Sequence, residues 1–204
     1  LKEKEETASI TGNPFEKNNL GPCITEYVLK EDVLNKIMQD LINIPSNLWG
    51  KGKIGAAHFD KPISRQCEIF FLSDQSKNDK KFQLLDNYIF NVFEKAIQSY
   101  QKDNAVFICA DEGYQVVKYN EGGFYKAHVD GGEDFLYRKV SGIIYLNDDY
   151  EGGELEFTKF NLKIKPKKNS IVLFPSNYAY EHRAHPVIKG QKMCIVTWFF
   201  STGK

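Results

Sequence analysis

The sequence predicts an α+β fold in which helices are laid against a small β-sandwich or barrel, and three observations carry that expectation. Apolar residues recur at helical spacing in two stretches ahead of Tyr114, and from Tyr114 onward the chain breaks into short β-rich runs divided by turn residues. The composition, 42% hydrophobic with 15 Phe, 11 Tyr and 2 Trp, suits aromatic-rich strands. Helices grouped ahead of strands are the order of an α+β chain.

The 204 residues provide for one domain with a sizeable core. Residues 1–20 (LKEKEETASITGNPFEKNNL) are polar, charged and without period, and are expected to form a flexible tail ahead of a domain over 21–204. ITEYVL, beginning at Ile24, reads as a short strand, and Val33, Leu34, Ile37, Met38, Leu41 and Ile42 make the stripe of a first amphipathic helix. CEIFFL, beginning at Cys67, reads as a buried strand, and Phe82, Leu85, Ile89, Phe93, Ala96, Ile97 and Tyr100 lie along one face of a longer helix. The runs YQVVKY, KVSGIIYL, GELEF, LKIK, SIVLF and KMCIVTWFF follow as strands, separated by turns such as Glu121-Gly-Gly, Asn147-Asp-Asp and Glu151-Gly-Gly. No internal repeat is visible.

Lys plus Arg equals Asp plus Glu at 27 each, so no global field draws the chain to nucleic acid or to an anionic membrane. The basic runs at Lys77 to Lys81 and Lys163 to Lys168 read as solvated loops or strand ends. No apolar run approaches the roughly 18 residues of a membrane-spanning helix, so no membrane partner is expected. Cys23, Cys67, Cys109 and Cys194 are too widely spaced for a zinc knuckle or a CxxC pair, and reduced thiols in an intracellular, cytoplasmic setting are the expectation.

In YKAHVDGG, His128 and Asp130 lie two positions apart in a strand-like run, where period-two alternation can aim both side chains at one point. Taken alone the triplet is weak, since a turn aspartate beside an exposed histidine gives the same letters. A second part lies in LFPSNYAYEHRAHPVIKGQKMCIVTWFF, where a histidine precedes a last strand that carries a cation. Two His and one carboxylate make a facial triad that leaves positions on Fe(II) open for a chelating cosubstrate and dioxygen, although zinc accepts the same ligands. Alternation along KMCIVTWFF places Lys192, Cys194, Val196 and Trp198 on one strand face, so an inward Lys192 needs an anion to meet it. The distal carboxylate of 2-oxoglutarate is such an anion, and Tyr145 could add a phenolic donor. The alternative is a strand that begins just after Lys192 and leaves the amine in water.

Together, YQVVKYNEGGFYKAHVDGG, RKVSGIIYLNDDYEGGELEF and IVLFPSNYAYEHRAHPVIKGQKMCIVTWF resemble the prolyl 4-hydroxylase-like group of 2-oxoglutarate/Fe(II) dioxygenases, over roughly Gly21 to the C-terminus. The resemblance implies a double-stranded β-helix (jelly-roll) core with buttressing N-terminal helices. It implies Fe(II), 2-oxoglutarate and O2, with ascorbate as an accessory reductant, and His128, Asp130 and His182 as metal ligands and catalytic centre. His182 rather than His185 is selected because the family's distal histidine precedes a P-V-x-x-G-x-K stretch, here Pro186 to Lys192, by four positions. The resemblance places Lys192, Tyr145 and Tyr119 around 2-oxoglutarate, and Tyr125, Arg138 and Trp198 against the substrate.

The activity implied is hydroxylation of a proline-containing peptide or protein, peptidyl prolyl 4-hydroxylation first, with 2-oxoglutarate decarboxylated to succinate and CO2. A free amino acid, another protein side chain or a small metabolite are the alternative substrates, and a non-catalytic metal- or acid-binding β-barrel module is the rival class. Asp130 argues against a halogenase, which lacks this carboxylate. Nucleic-acid demethylation lacks the basic excess and the extra arginine it would need. The loop from Asp130 to Arg138 is short, which argues against a broad substrate groove built from it.

Overall fold

The computed structural model describes residues 15–30, 34–52 and 64–201. In chain order the elements are β1 (Phe15–Gly21), β2 (Ile24–Leu29), α1 (Leu34–Ile42), β3 (Gly50–Lys51), β4 (Arg65–Gln66), β5 (Glu68–Phe71), α2 (Leu72–Gln75) and α3 (Lys80–Asn104). There follow β6 (Ala110–Asp111), β7 (Gln115–Tyr119), β8 (Phe124–His128), β9 (Arg138–Tyr145), β10 (Glu151–Gly152), β11 (Leu155–Phe157) and β12 (Leu162–Ile164). The chain closes with β13 (Ser170–Pro175), β14 (His182–Ala184), β15 (Val187–Lys189) and β16 (Lys192–Phe200).

A nine-stranded sheet runs β1-β2-β13-β9-β16-β7-β5-β3, with β6 also on β16, and a five-stranded sheet runs β12-β11-β14-β8-β4. The sheets enclose one apolar layer, in which Val117, Tyr119, Ile143, Tyr145, Phe174 and Cys194 of the larger meet Leu155 and Phe157 of the smaller. The other face of the large sheet packs on the helices: Val116, Val140, Ile144, Leu173, Ile195 and Phe199 meet Leu34 and Ile37 of α1 and Ile89, Phe93 and Ala96 of α3. Strict alternation along β9, β13 and β16 therefore feeds two cores from one sheet, which is why these strands are apolar on both faces.

The two expected helical stripes are the buried faces of α1 and α3, with Val33 and the Ile42 side chain lying outside what is described. The start of α3 is set by Asp79, whose side chain accepts a hydrogen bond from the Lys81 N–H, and its end by Ala105 in the left-handed region at φ 50°. Residues 1–14 lie outside the described residues, but 15–20, read as tail from their lack of period, belong to β1. That strand pairs with β2 from Phe15–Leu29 to Gly21–Ile24 across a tight turn, and it is held by backbone hydrogen bonds and the buried Phe15 ring. An edge strand with one buried side chain needs no apolar alternation, so the polar sequence hid it.

Gly142, on β9, shows how closely sheet and helix meet. A Cβ there would stand 2.8 Å from a Phe199 ring carbon, 2.9 Å from Phe93 and 3.1 Å from Leu173. Gly142→Ala is therefore expected to destabilise the fold by about 1–3 kcal/mol, read as a lower urea midpoint. An unchanged midpoint would show that α3 can withdraw at little cost.

Candidate active site

His128 ends β8 and His182 opens β14, and the antiparallel register of these strands sets the two residues directly opposite each other. Their rings lie 4.3 Å apart between centroids. Asp130 completes the group, with Oδ1 3.5 Å from His128 Nε2 and Oδ2 3.6 Å from His182 Nε2. One donor atom from each of the three residues lies within 4.8 Å of the others.

The hydrogen bonds fix the chemistry of the histidines. His128 Nδ1 lies 2.8 Å from the Lys126 carbonyl, and His182 Nδ1 lies 3.0 Å from the Tyr180 carbonyl. A carbonyl only accepts, so each Nδ1 carries the proton and each Nε2 turns a bare lone pair toward Asp130. Two bare imidazole nitrogens facing a carboxylate repel one another until a cation lies between them, and a backbone carbonyl behind each ring is the usual support of a metal-bound histidine. The residues thus fit a divalent metal ion.

Burial, aided by the neighbouring His128, pushes His182 down to about 4, so its imidazole is neutral and available at neutral pH. Burial alone would raise the Asp130 carboxyl, but the histidines in their protonated form and the Ser141 hydroxyl outweigh it and hold the group well below the usual carboxylate range.

The triad opens into a cavity of about 800 Å³ between the sheets. Lys192, Cys194, Val196 and Trp198 of β16 all line it, as alternation requires. Lys192 and Trp198 are six residues apart, about 20 Å at strand rise, so the chamber runs along the strand and one pocket reaches both. Lys192 begins the strand and points inward, only 3% exposed, which settles its orientation. Its Nζ donates to the Gly153 carbonyl at 2.7 Å and lies 5.4 and 5.2 Å from the ring centroids of Tyr119 and Tyr145. Tyr119 is its register partner on β7, and Tyr145 stands opposite Cys194 on β9. No carboxylate among the described residues comes within ion-pair distance of Lys192, and burial pushes its ammonium down to about 8. Burial likewise raises both phenols, which stay protonated and able to donate.

Tyr125, Arg138 and Trp198 line the same cavity. Tyr125 stacks on His128, with centroids 3.5 Å apart. Arg138 is not a bare cation: its Nε and NH2 donate to Glu112 at 2.6 Å each, and its NH1 donates to the Asp130 carbonyl at 3.1 Å. The guanidinium also lies 3.9 Å from the Trp198 centroid and 3.7 Å from that of Phe135. It serves as a strut in an aromatic wall. The Trp198 indole N–H is buried without a partner.

Glu112, Ser141 and Arg65 also belong to this region and went unremarked in the sequence. Glu112 and Arg65 are brought in by loop and edge-strand placement, for which no periodic signal exists. Ser141 shares its strand face with Ile143 and Tyr145, so alternation could have found it. His185 points away from the triad and bonds Glu156, which Arg183 also grips, while His58 lies outside the described residues.

A protein-family model described as the 2OG-Fe(II) oxygenase superfamily matches residues 114–200. Among curated proteins, rat prolyl 3-hydroxylase 2 is 36% identical over 70 residues, which make up 32% of this chain and 10% of that protein. The chain thus spans about a tenth of that relative's length. Among solved structures, a prolyl hydroxylase from Trichoplax adhaerens, in complex with a peptide fragment of the hypoxia inducible factor oxygen degradation domain, superposes with TM-score 0.72 and 20% identity, covering 92% of this chain and 84% of that one. A viral collagen prolyl hydroxylase from Paramecium Bursaria Chlorella virus-1, in its 2OG complex, gives TM-score 0.66 and 20% identity over 89% of this chain and 98% of that one. The expected double-stranded β-helix core is thereby borne out.

Proposed function

We propose, from the match of residues 114–200 to the 2OG-Fe(II) oxygenase superfamily, that this chain is an Fe(II)- and 2-oxoglutarate-dependent hydroxylase of prolyl residues in a peptide or protein. The observation that carries the cosubstrate is Lys192: a buried ammonium without a carboxylate, in the chamber onto which the triad opens, is costly until an acid reaches it. Bound Fe(II) with 2-oxoglutarate and O2 supplies the oxidising chemistry, in which the keto acid is decarboxylated to succinate and CO2 and an oxygen atom enters a C–H bond.

The residues of the chain hold and shield. His128, Asp130 and His182 supply the metal's ligands; Lys192 pairs with the distal carboxylate of 2-oxoglutarate, Tyr145 and Tyr119 add phenolic donors, and Ile143, Leu155 and Val196 keep water out. On the substrate side, the Glu112 carboxylate neutralises Arg138, and the rings of Tyr125, Phe135 and Trp198 make an aromatic wall. An uncharged aliphatic ring such as proline suits that wall better than a charged side chain.

The test incubates the protein with proline-containing peptides, Fe(II) and 2-oxoglutarate, following a 16-dalton gain (; about one oxygen atom) matched by succinate. Analysis of the hydrolysed peptide assigns the hydroxyl to C3 or C4. Hydroxylation of another substrate, with proline peptides left unchanged, would overturn the prolyl assignment and leave the cosubstrate reading standing.

The same reading carries a pH dependence. Lys192 titrates near 8 in the free protein, and a bound dicarboxylate stabilises its charged form, so binding takes up a proton above that pH. The dissociation constant of 2-oxoglutarate, measured by calorimetry with Mn(II) in place of iron, is expected to rise as pH climbs through 8 and to be flat below it. A flat profile up to pH 9.5 would detach Lys192 from the acid.

A further inference from the structure

The Asp130 carboxylate, whose two oxygens face the two histidine Nε2 atoms, is held at Oδ2 by a device the iron-site reading does not by itself require. Ser141 Oγ lies 2.6 Å from Asp130 Oδ2, and Ser176 Oγ lies 2.8 Å from Ser141 Oγ. The serines are 0% and 1% exposed. An ionised carboxylate only accepts, so Ser141 must donate to Asp130, and its single proton being spent there, Ser176 must donate to Ser141. The direction of the relay follows from hydrogen-bond valence alone. A hydroxyl that accepts one hydrogen bond donates the next more strongly.

The backbone around Asp130 is pinned from the same elements. The Gly131 N–H donates to the Ser176 carbonyl at 2.7 Å, the Ser176 N–H donates to the Lys139 carbonyl at 3.0 Å, and Arg138 holds the Asp130 carbonyl. A Cβ on Gly131 would stand 2.9 Å from the Ser176 oxygen, so glycine permits this close approach. Ser141 is placed by β9, directly opposite Trp198 on β16 and Phe174 on β13, where a small side chain leaves room for the carboxylate. Asp130 is therefore fixed in position and in rotation about its carboxylate axis.

We propose that Ser141, backed by Ser176, is a positioning residue that keeps Asp130 a one-oxygen metal ligand by engaging Oδ2, the oxygen 3.6 Å from His182 Nε2, and leaving Oδ1 for the ion. The consequence is stoichiometric. Two histidines and one carboxylate oxygen leave three positions of an octahedral ion open, enough for a two-point keto acid and one further small molecule. A carboxylate that swings to bind through both oxygens takes one of those positions.

The inference rests on the metal-centre reading, and its test separates the two. Mn(II) is titrated without cosubstrate into the protein, Ser141→Ala and His128→Ala, reading affinity and the water-proton relaxivity per bound ion. The parent is expected to bind Mn(II) with the relaxivity of three exchangeable waters, as a facial triad leaves three open positions. Ser141→Ala is expected to lose about a third of that relaxivity, with affinity changed by about tenfold or more. Ser141→Cys, nearly isosteric and a weak donor, should fall between and provides the reading if the alanine variant does not fold. Relaxivity per ion in both serine variants equal to the parent overturns the inference, whatever the affinity. Failure of the parent to bind Mn(II), or equal binding by His128→Ala, overturns the metal-centre reading instead.

Discussion

His128→Ala, Asp130→Ala and His182→Ala are each expected to lose metal affinity by more than about a hundredfold, since outer partners of metal ligands alone account for roughly 10–100-fold, and to lose 2-oxoglutarate turnover with it. The loss follows from geometry: each residue supplies one donor to a cluster whose atoms lie within 4.8 Å, and nothing else among the described residues stands by to replace it. His185→Ala is the contrast. Alternation along β14 turns His182 and Ala184 inward and Arg183 outward, and beyond the strand His185 joins Arg183 on the outer Glu156. Its removal should cost about 1 kcal/mol of stability or less, as for exposed ion pairs, and leave turnover near the parent level. Metal titration and succinate formation measured on all four variants decide the matter. Retained activity in His182→Ala with loss in His185→Ala would place the metal on the other histidine.

Lys192→Met is expected to move binding and stability in opposite directions. Removing a buried cation that pairs with an acid costs roughly 2–5 kcal/mol of binding, which is about thirtyfold or more in the dissociation constant of 2-oxoglutarate. The ligand-free protein should gain stability, because methionine fills much of the same volume without the charge that burial penalises. The sign with pH follows from the depressed group: folding lowers Lys192 from 10.5 to about 8, so between those values the unfolded chain binds the extra proton and parent stability rises with pH. Below 8 the penalty is fully present. Lys192→Met should be more stable than the parent at pH 7 and should lack that rise. Urea midpoints at pH 7 and pH 10 together with calorimetry test it, and a variant that is both less stable and unimpaired in binding would remove Lys192 from the site.

Read without any coordinates, the sequence determined the features that depend on period. The stripes of α1 and α3, the two-faced apolar strands β9, β13 and β16, and the common face of Lys192, Cys194, Val196 and Trp198 all follow from side chains repeating every 3.6 or every 2 residues. Alternation also pointed to His128 and Asp130, although β8 ends at His128 and Asp130 is carried by the turn beyond it, and the choice of His182 came from motif spacing rather than geometry. The strand β1 was not legible, because backbone pairing at an edge leaves no pattern in a polar sequence.

Tertiary structure alone decided what depends on register between distant strands. The facing of His128 and His182 is a property of how β8 pairs with β14, and the reach of one chamber from Lys192 to Trp198 is a property of how two sheets close on each other. The neutralised state of Arg138 depends on Glu112 arriving from a loop, and the hydroxyl chain behind Asp130 needs β9 and β13 side by side. Period is a local property that the chain carries with it, whereas which residues meet across strands is set only when the hydrogen-bond ladders lock, since a one-residue slip would turn each of these side chains to the opposite face.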